Sequence, residues 1–126
     1  MSTPTGRPVF LDLRRIRMPV MAVVSILHRA TGVVMVLSVP LLVYLFDLSL
    51  RDERGFQSVM ALLGSLPLRL LGVLLAWVLA HHFFAGVRFL LLDLEQGVDR
   101  RPARQTAWMV HAAAAITALL VAGGLL

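Results

Sequence analysis

Three long apolar stretches dominate the chain, and its charged residues gather between them. From Ala30 to Phe46 no residue is charged. Leu70 to Val87 holds only His81 and His82 as ionisable groups, and Thr106 to Leu126 only His111. A helix that crosses a ~30 Å hydrocarbon core needs about 20 mainly apolar residues. The pattern therefore predicts an all-α, integral membrane bundle of three transmembrane helices, over about 21–46, 67–93 and 106–126. Pro40 should kink or loosen the first, as neighbours in a bundle allow. Ser65 reads as an N-cap with Pro67 in the following first turn. Asp47 to Ser58 reads as a polar loop, with a short amphipathic piece at Gln57 to Leu63. Leu94 to Arg104 reads as a second loop. Residues 1–19 form an N-terminal segment in which Leu11, Leu13 and Ile16 alternate with charges, as in a stretch lying along a membrane surface. Residues 20–126 form the membrane domain.

Composition supports that class. Hydrophobic residues make up 59% of the chain and charged residues 15%, too few to clothe a soluble domain of 126 residues. The absence of cysteine excludes disulfides and thiolate-held metal clusters within the chain. The net charge of +5 comes from arginines placed mainly beside the apolar spans. There they read as topology determinants and lipid-headgroup contacts, not as a nucleic-acid surface. Met1 to Pro8 is polar and lacks the apolar core of a secretory signal, so a bacterial inner-membrane location is expected. Arg7, Arg14, Arg15, Arg17, Arg100, Arg101 and Arg104 flank one side of a three-span topology, and only Arg51 and Arg54 the other. Seven against two predicts a cytoplasmic N-terminus.

Two polar clusters interrupt the apolar pattern. Ser25, His28 and Arg29 share one helical face near the start of the first span. In the second span His82, Gly86, Phe89 and Asp93 fall within about 60° of one another, joining an imidazole, a gap, a ring and a carboxylate. Ionisable groups inside a span are costly and point to function. From Met21 to Arg29 is about 12 Å along a helix, and from Asp93 back to His82 about 16 Å. The antiparallel spans thus bring both clusters to similar depth. Each residue also has a plainer reading. His82 fits a neutral histidine bonded across helices as well as a ligand, and His81, about 100° away, competes with it. Arg29 could snorkel to the headgroups. His111 fits a packed histidine, Asp93 a solvated boundary residue, and Arg88 a contact to lipid phosphate.

The motifs Arg7-Pro8, Ser25-x-x-His28-Arg29-x-Thr31 and His82-x-x-x-Gly86-Val87-Arg88-Phe89-x-x-x-Asp93 together resemble the cytochrome b membrane-anchor subunits of succinate dehydrogenase. The resemblance spans nearly the whole chain and both motifs in order. It implies half of a heterodimeric membrane anchor, paired with a second small three-helix subunit and sharing a haem b with it. It implies His82, not His81, as an axial ligand of the haem iron. It places Ser25 and Arg29 at a ubiquinone site, and His28 and Arg29 near the haem propionates. The implied partners are the second anchor subunit, the iron–sulfur subunit, the flavoprotein subunit, ubiquinone and membrane lipid. Gly86 would then let the macrocycle approach the helix. Leu92 stands where an aromatic or Met is common in this family, Glu95 where a small residue is common, and Phe89 where His or Phe occurs.

The implied function is electron transfer from succinate, oxidised on other subunits, to ubiquinone. Bis-histidine ligation suits such transfer because it leaves no open iron site. Two alternatives stand beside it: a fumarate reductase anchor, and a cofactor-free structural or assembly protein whose histidines only join helices.

Overall fold

A computed structural model gives the protein's structure over residues 17–126. Arg7, Pro8, Arg14 and Arg15, and the surface segment read from Leu11, Leu13 and Ile16, lie outside the described residues. The described chain folds into four helices: α1 (Val20–Arg51), α2 (Glu53–Gly64), α3 (Leu66–Asp93) and α4 (Arg100–Leu125). The three long helices α1, α3 and α4 are apolar and long enough to cross a membrane.

The helices run further than the apolar stretches that mark them. α1 continues through Pro40 and past Phe46 to Arg51, through part of the expected polar loop. An i,i+4 pair carries it there: Arg51 donates to the Asp47 carboxylate at 2.6 and 3.0 Å. The chain then turns at a single residue, Asp52, held extended at φ −163° and ψ 176°. Its carboxylate accepts from the Gly55 backbone N–H at 2.6 Å and so caps α2. Gly55 makes the corner possible, because a Cβ there would overlap the Leu48 carbonyl oxygen. The short helix therefore starts at Glu53 rather than Gln57.

Ser65 does stand at the N-cap position of α3, but its side chain does not cap that helix. Its hydroxyl donates back to the Leu62 carbonyl at 2.6 Å and closes α2 instead. α4 begins at Arg100, six residues before the apolar stretch. Pro102 is tolerated there because the first turn has no helical acceptor to lose. Between α3 and α4, Glu95 adopts φ 58° and Gly97 φ 73°. Glu95 is the one non-glycine among the described residues with left-handed backbone, a conformation in which a side chain is strained and a glycine is not.

α4 packs chiefly against α3, and α1 crosses both. The face α4 turns inward is Ala103, Ala107, Val110 and Ala114, a spacing of three and four. With Val24 and Ala85 it makes a small-residue core, flanked by Val20, Met21, Phe84 and Phe89. Lipid supplies no hydrophobic force between helices, so close backbone approach through small residues is how such helices adhere. One face in the middle of α1 is open among the described residues: Val33, Val36 and Leu37 are 60, 70 and 72% exposed.

Candidate functional site

The crossing of α1 and α3 joins the two polar clusters. The His28 and His82 rings stack with centroids 4.2 Å apart and planes 13° from parallel. Phe89, about two turns beyond His82, meets His28 edge-on at 5.2 Å. Thr31, which is buried, donates its hydroxyl to the Leu27 carbonyl at 2.7 Å, with the His28 carbonyl at 3.0 Å.

These contacts favour one tautomer of His82. Its Nδ1 lies 3.1 Å from the His28 carbonyl oxygen and 3.3 Å from Thr31 Oγ1. A carbonyl only accepts, so Nδ1 carries the proton and donates. The lone pair is thereby left on Nε2. A histidine whose one nitrogen is tied to a backbone carbonyl is the usual form of a metal-binding imidazole.

His82 lines an open groove with Arg29, Gly32, Val33, Met35, Val36 and Leu37, about 620 Å³ in volume and almost wholly apolar. Gly32 is the close neighbour: a Cβ there would come within 3.0 Å of His82 Cε1. A Cβ at Gly86 would meet His28 Nε2 at 3.6 Å, an ordinary contact, so Gly86 adjoins the other histidine of the stacked pair. Gly32, four residues after His28, is brought to the His82 ring only by the helix crossing. Arg29 is exposed at the groove, and Ser25 lies half-buried one turn earlier on α1. Asp93 is exposed at the end of α3.

His81 points the other way. It is fully buried, 5.4 Å from Trp77 and 5.3 Å from His111 between ring centroids, and both its ring nitrogens lack a partner among the described residues. It does not line the groove. Arg88 is not spread on the membrane surface either. It is 6% exposed beneath α4, donating from Nε to Thr106 Oγ1 and from Nη2 to the Ala103 carbonyl, each at 3.1 Å.

Residues 3–121 match the family described as the succinate dehydrogenase/fumarate reductase transmembrane subunit. The chain belongs to this family. A succinate dehydrogenase cytochrome b556 subunit from Coxiella burnetii is 38% identical to it over 91 residues, covering 70% of this chain and 71% of that protein. The three membrane-length helices are those of a multi-pass transmembrane subunit of this kind. Membership as a subunit also gives the exposed face of α1 at Val33, Val36 and Leu37 a context.

Proposed function

We propose that this chain is the cytochrome b anchor of a succinate:ubiquinone oxidoreductase, with His82 an axial ligand of a haem b shared with a second small anchor subunit. The observation that carries this reading is the setting of His82: Nδ1 lies 3.1 Å from the His28 carbonyl oxygen, an arrangement that leaves the lone pair on Nε2, and the residue lines an apolar groove. The donor set suits the group, because a neutral imidazole is a good ligand for haem iron. The groove suits a flat apolar macrocycle, and Gly32 leaves space beside the ligating ring. The groove is open, which fits a half-site completed by a second subunit over Val33, Val36 and Leu37.

When bound, haem b supplies a one-electron carrier at this level of the membrane. The residues of this chain do the rest. Arg29, with His28 beside it, offers cationic and hydrogen-bonding groups to the anionic propionates. Ser25 can donate a hydrogen bond to a carbonyl oxygen of ubiquinone. The Arg29 guanidinium can stabilise the negative charge that develops on that oxygen as the quinone takes up two electrons and two protons. The electrons come from succinate, oxidised on the flavoprotein subunit and passed through the iron–sulfur subunit. The arginine distribution supports a bacterial inner-membrane protein with its N-terminus in the cytoplasm, so the quinone site faces that side. The direction, succinate to quinone, rests on the name of the Coxiella relative, since the family description covers fumarate reductase too.

The test is the reduced-minus-oxidised absorption spectrum of the purified complex. His82→Ala should lose or strongly perturb the b-type haem bands, while succinate oxidation by artificial dyes survives. An unchanged spectrum in that variant removes the ligand assignment. A wild-type complex with no b-type bands leaves the structural, cofactor-free reading.

A further inference from the structure

Arg88 carries the inference. The residue is 6% exposed between α3 and α4, yet none of its protein acceptors is charged. Thr106 Oγ1 and the Ala103 carbonyl accept two of its five N–H groups, and Phe89 offers its ring face at 5.6 Å. Among the described residues no carboxylate pairs with it. A buried cation without a counter-charge is strongly unfavourable, so such groups are normally paired.

Arg88 also lines a cavity. About 270 Å³ of space lies between α3 and α4, walled by Phe84, Val87, Leu91, Met109, Val110 and their neighbours, with Thr106 beside the guanidinium and Gln96 at one end. Val87, Leu91 and Met109 are 40, 47 and 66% exposed, so the cavity opens sideways onto the face that the bilayer would cover. Arg88 stands five residues before the end of α3, about 7.5 Å along the helix axis. That is a suitable depth for a phosphate drawn slightly below the headgroup plane. An apolar trough with one desolvated guanidinium at its polar end matches a molecule with one anionic group and a hydrocarbon chain.

We propose that the α3–α4 groove binds an anionic diacyl phospholipid, with its phosphodiester on Arg88 and an acyl chain along Val87, Leu91 and Met109. The lipid supplies the counter-charge that the described protein groups do not. Its net negative charge distinguishes it from phosphatidylcholine, whose choline offsets the phosphate. The site is separate from the His82 groove and does not depend on haem being present.

The experiment uses the whole complex, delipidated in mild detergent, incubated with phosphatidylglycerol or with phosphatidylcholine, and read by native mass spectrometry. Wild type should retain phosphatidylglycerol in preference to phosphatidylcholine. Arg88→Gln should weaken that retention about tenfold or more, as expected for the loss of a charge-assisted hydrogen bond. Ala113→Phe, which fills the groove from α4 and leaves the groups bonded to Arg88 in place, should weaken it as well and stands as the test if Arg88→Gln does not assemble. Equal retention by wild type and Ala113→Phe, equal retention of the two lipids, displacement by inorganic phosphate, or an isoprenoid quinone in place of lipid would each overturn the proposal. The haem spectrum of Ala113→Phe should be that of wild type, which separates this outcome from any failure of the His82 assignment.

Discussion

The His28 and His82 imidazoles lie face to face, 4.2 Å between centroids, and the backbone carbonyl of the first accepts from Nδ1 of the second at 3.1 Å. One residue of α1 thus sets both the plane and the tautomer of the proposed ligand on α3. The same carbonyl lies 3.0 Å from the Thr31 hydroxyl, which itself stands 3.3 Å from Nδ1.

Thr31 is therefore a positioning residue for His82. Thr31→Val should keep the haem but shift its midpoint potential and its low-spin resonance signals, with a loss of stability of about 1 kcal/mol. Thr31→Ser should restore the potential. A fall in thermal stability with an unchanged potential would mean that the hydroxyl only packs the helices.

Gly32 should be the position most sensitive to added bulk. A Cβ at 3.0 Å from His82 Cε1 forces the ring to give by a few tenths of an ångström. Gly32→Ala should bind haem with altered spectra, and Gly32→Leu should bind none. Gly86→Ala, whose Cβ would stand 3.6 Å from His28 Nε2, should be milder than Gly32→Ala. The reverse order in the spectra would place the macrocycle against α3 instead.

Arg29→Ala and Ser25→Ala should slow ubiquinone reduction about a hundredfold and a few-fold respectively, in line with losing a charged and a neutral contact to the reacting oxygen. Reduction of an artificial dye should scarcely change. Equal losses in both assays would assign these residues to assembly of the complex.

His81→Phe should leave the haem bands intact and match or exceed wild type in thermal stability. The imidazole is fully buried with both nitrogens unpartnered among the described residues, so an apolar ring of similar shape relieves a desolvation cost of about 1–3 kcal/mol. Loss of the haem bands in this variant, with His82 intact, would exchange the roles of the two histidines.

The sequence located the spans because a bilayer imposes a length of apolar chain, and it ranked His28, Arg29 and His82 as notable because charge and imidazole are rare there. It was less informative at the corners. Asp52 looked like one charge among several, yet its carboxylate and Gly55 let α1 turn into α2 with a single extended residue. Ser65 looked like a cap for α3 and instead closes α2, since its hydroxyl finds the Leu62 carbonyl first. Arg88 looked like a surface contact because five residues from a helix end is within snorkelling reach. The packing of α4 covers it.

By itself, then, the pattern of apolar and polar positions determined an all-α membrane bundle and which two polar clusters share a depth. Helical period and rise are local constants, so they can be read from spacing alone. Only the crossing of α1 and α3 decided that His28 stacks on His82, that Gly32 lies against the His82 ring and Gly86 against that of His28, and that His81 turns into the bundle. Those outcomes depend on the angle at which one helix meets another. That angle is set by which small side chains permit close approach, a property of two surfaces together and not of either stretch of sequence.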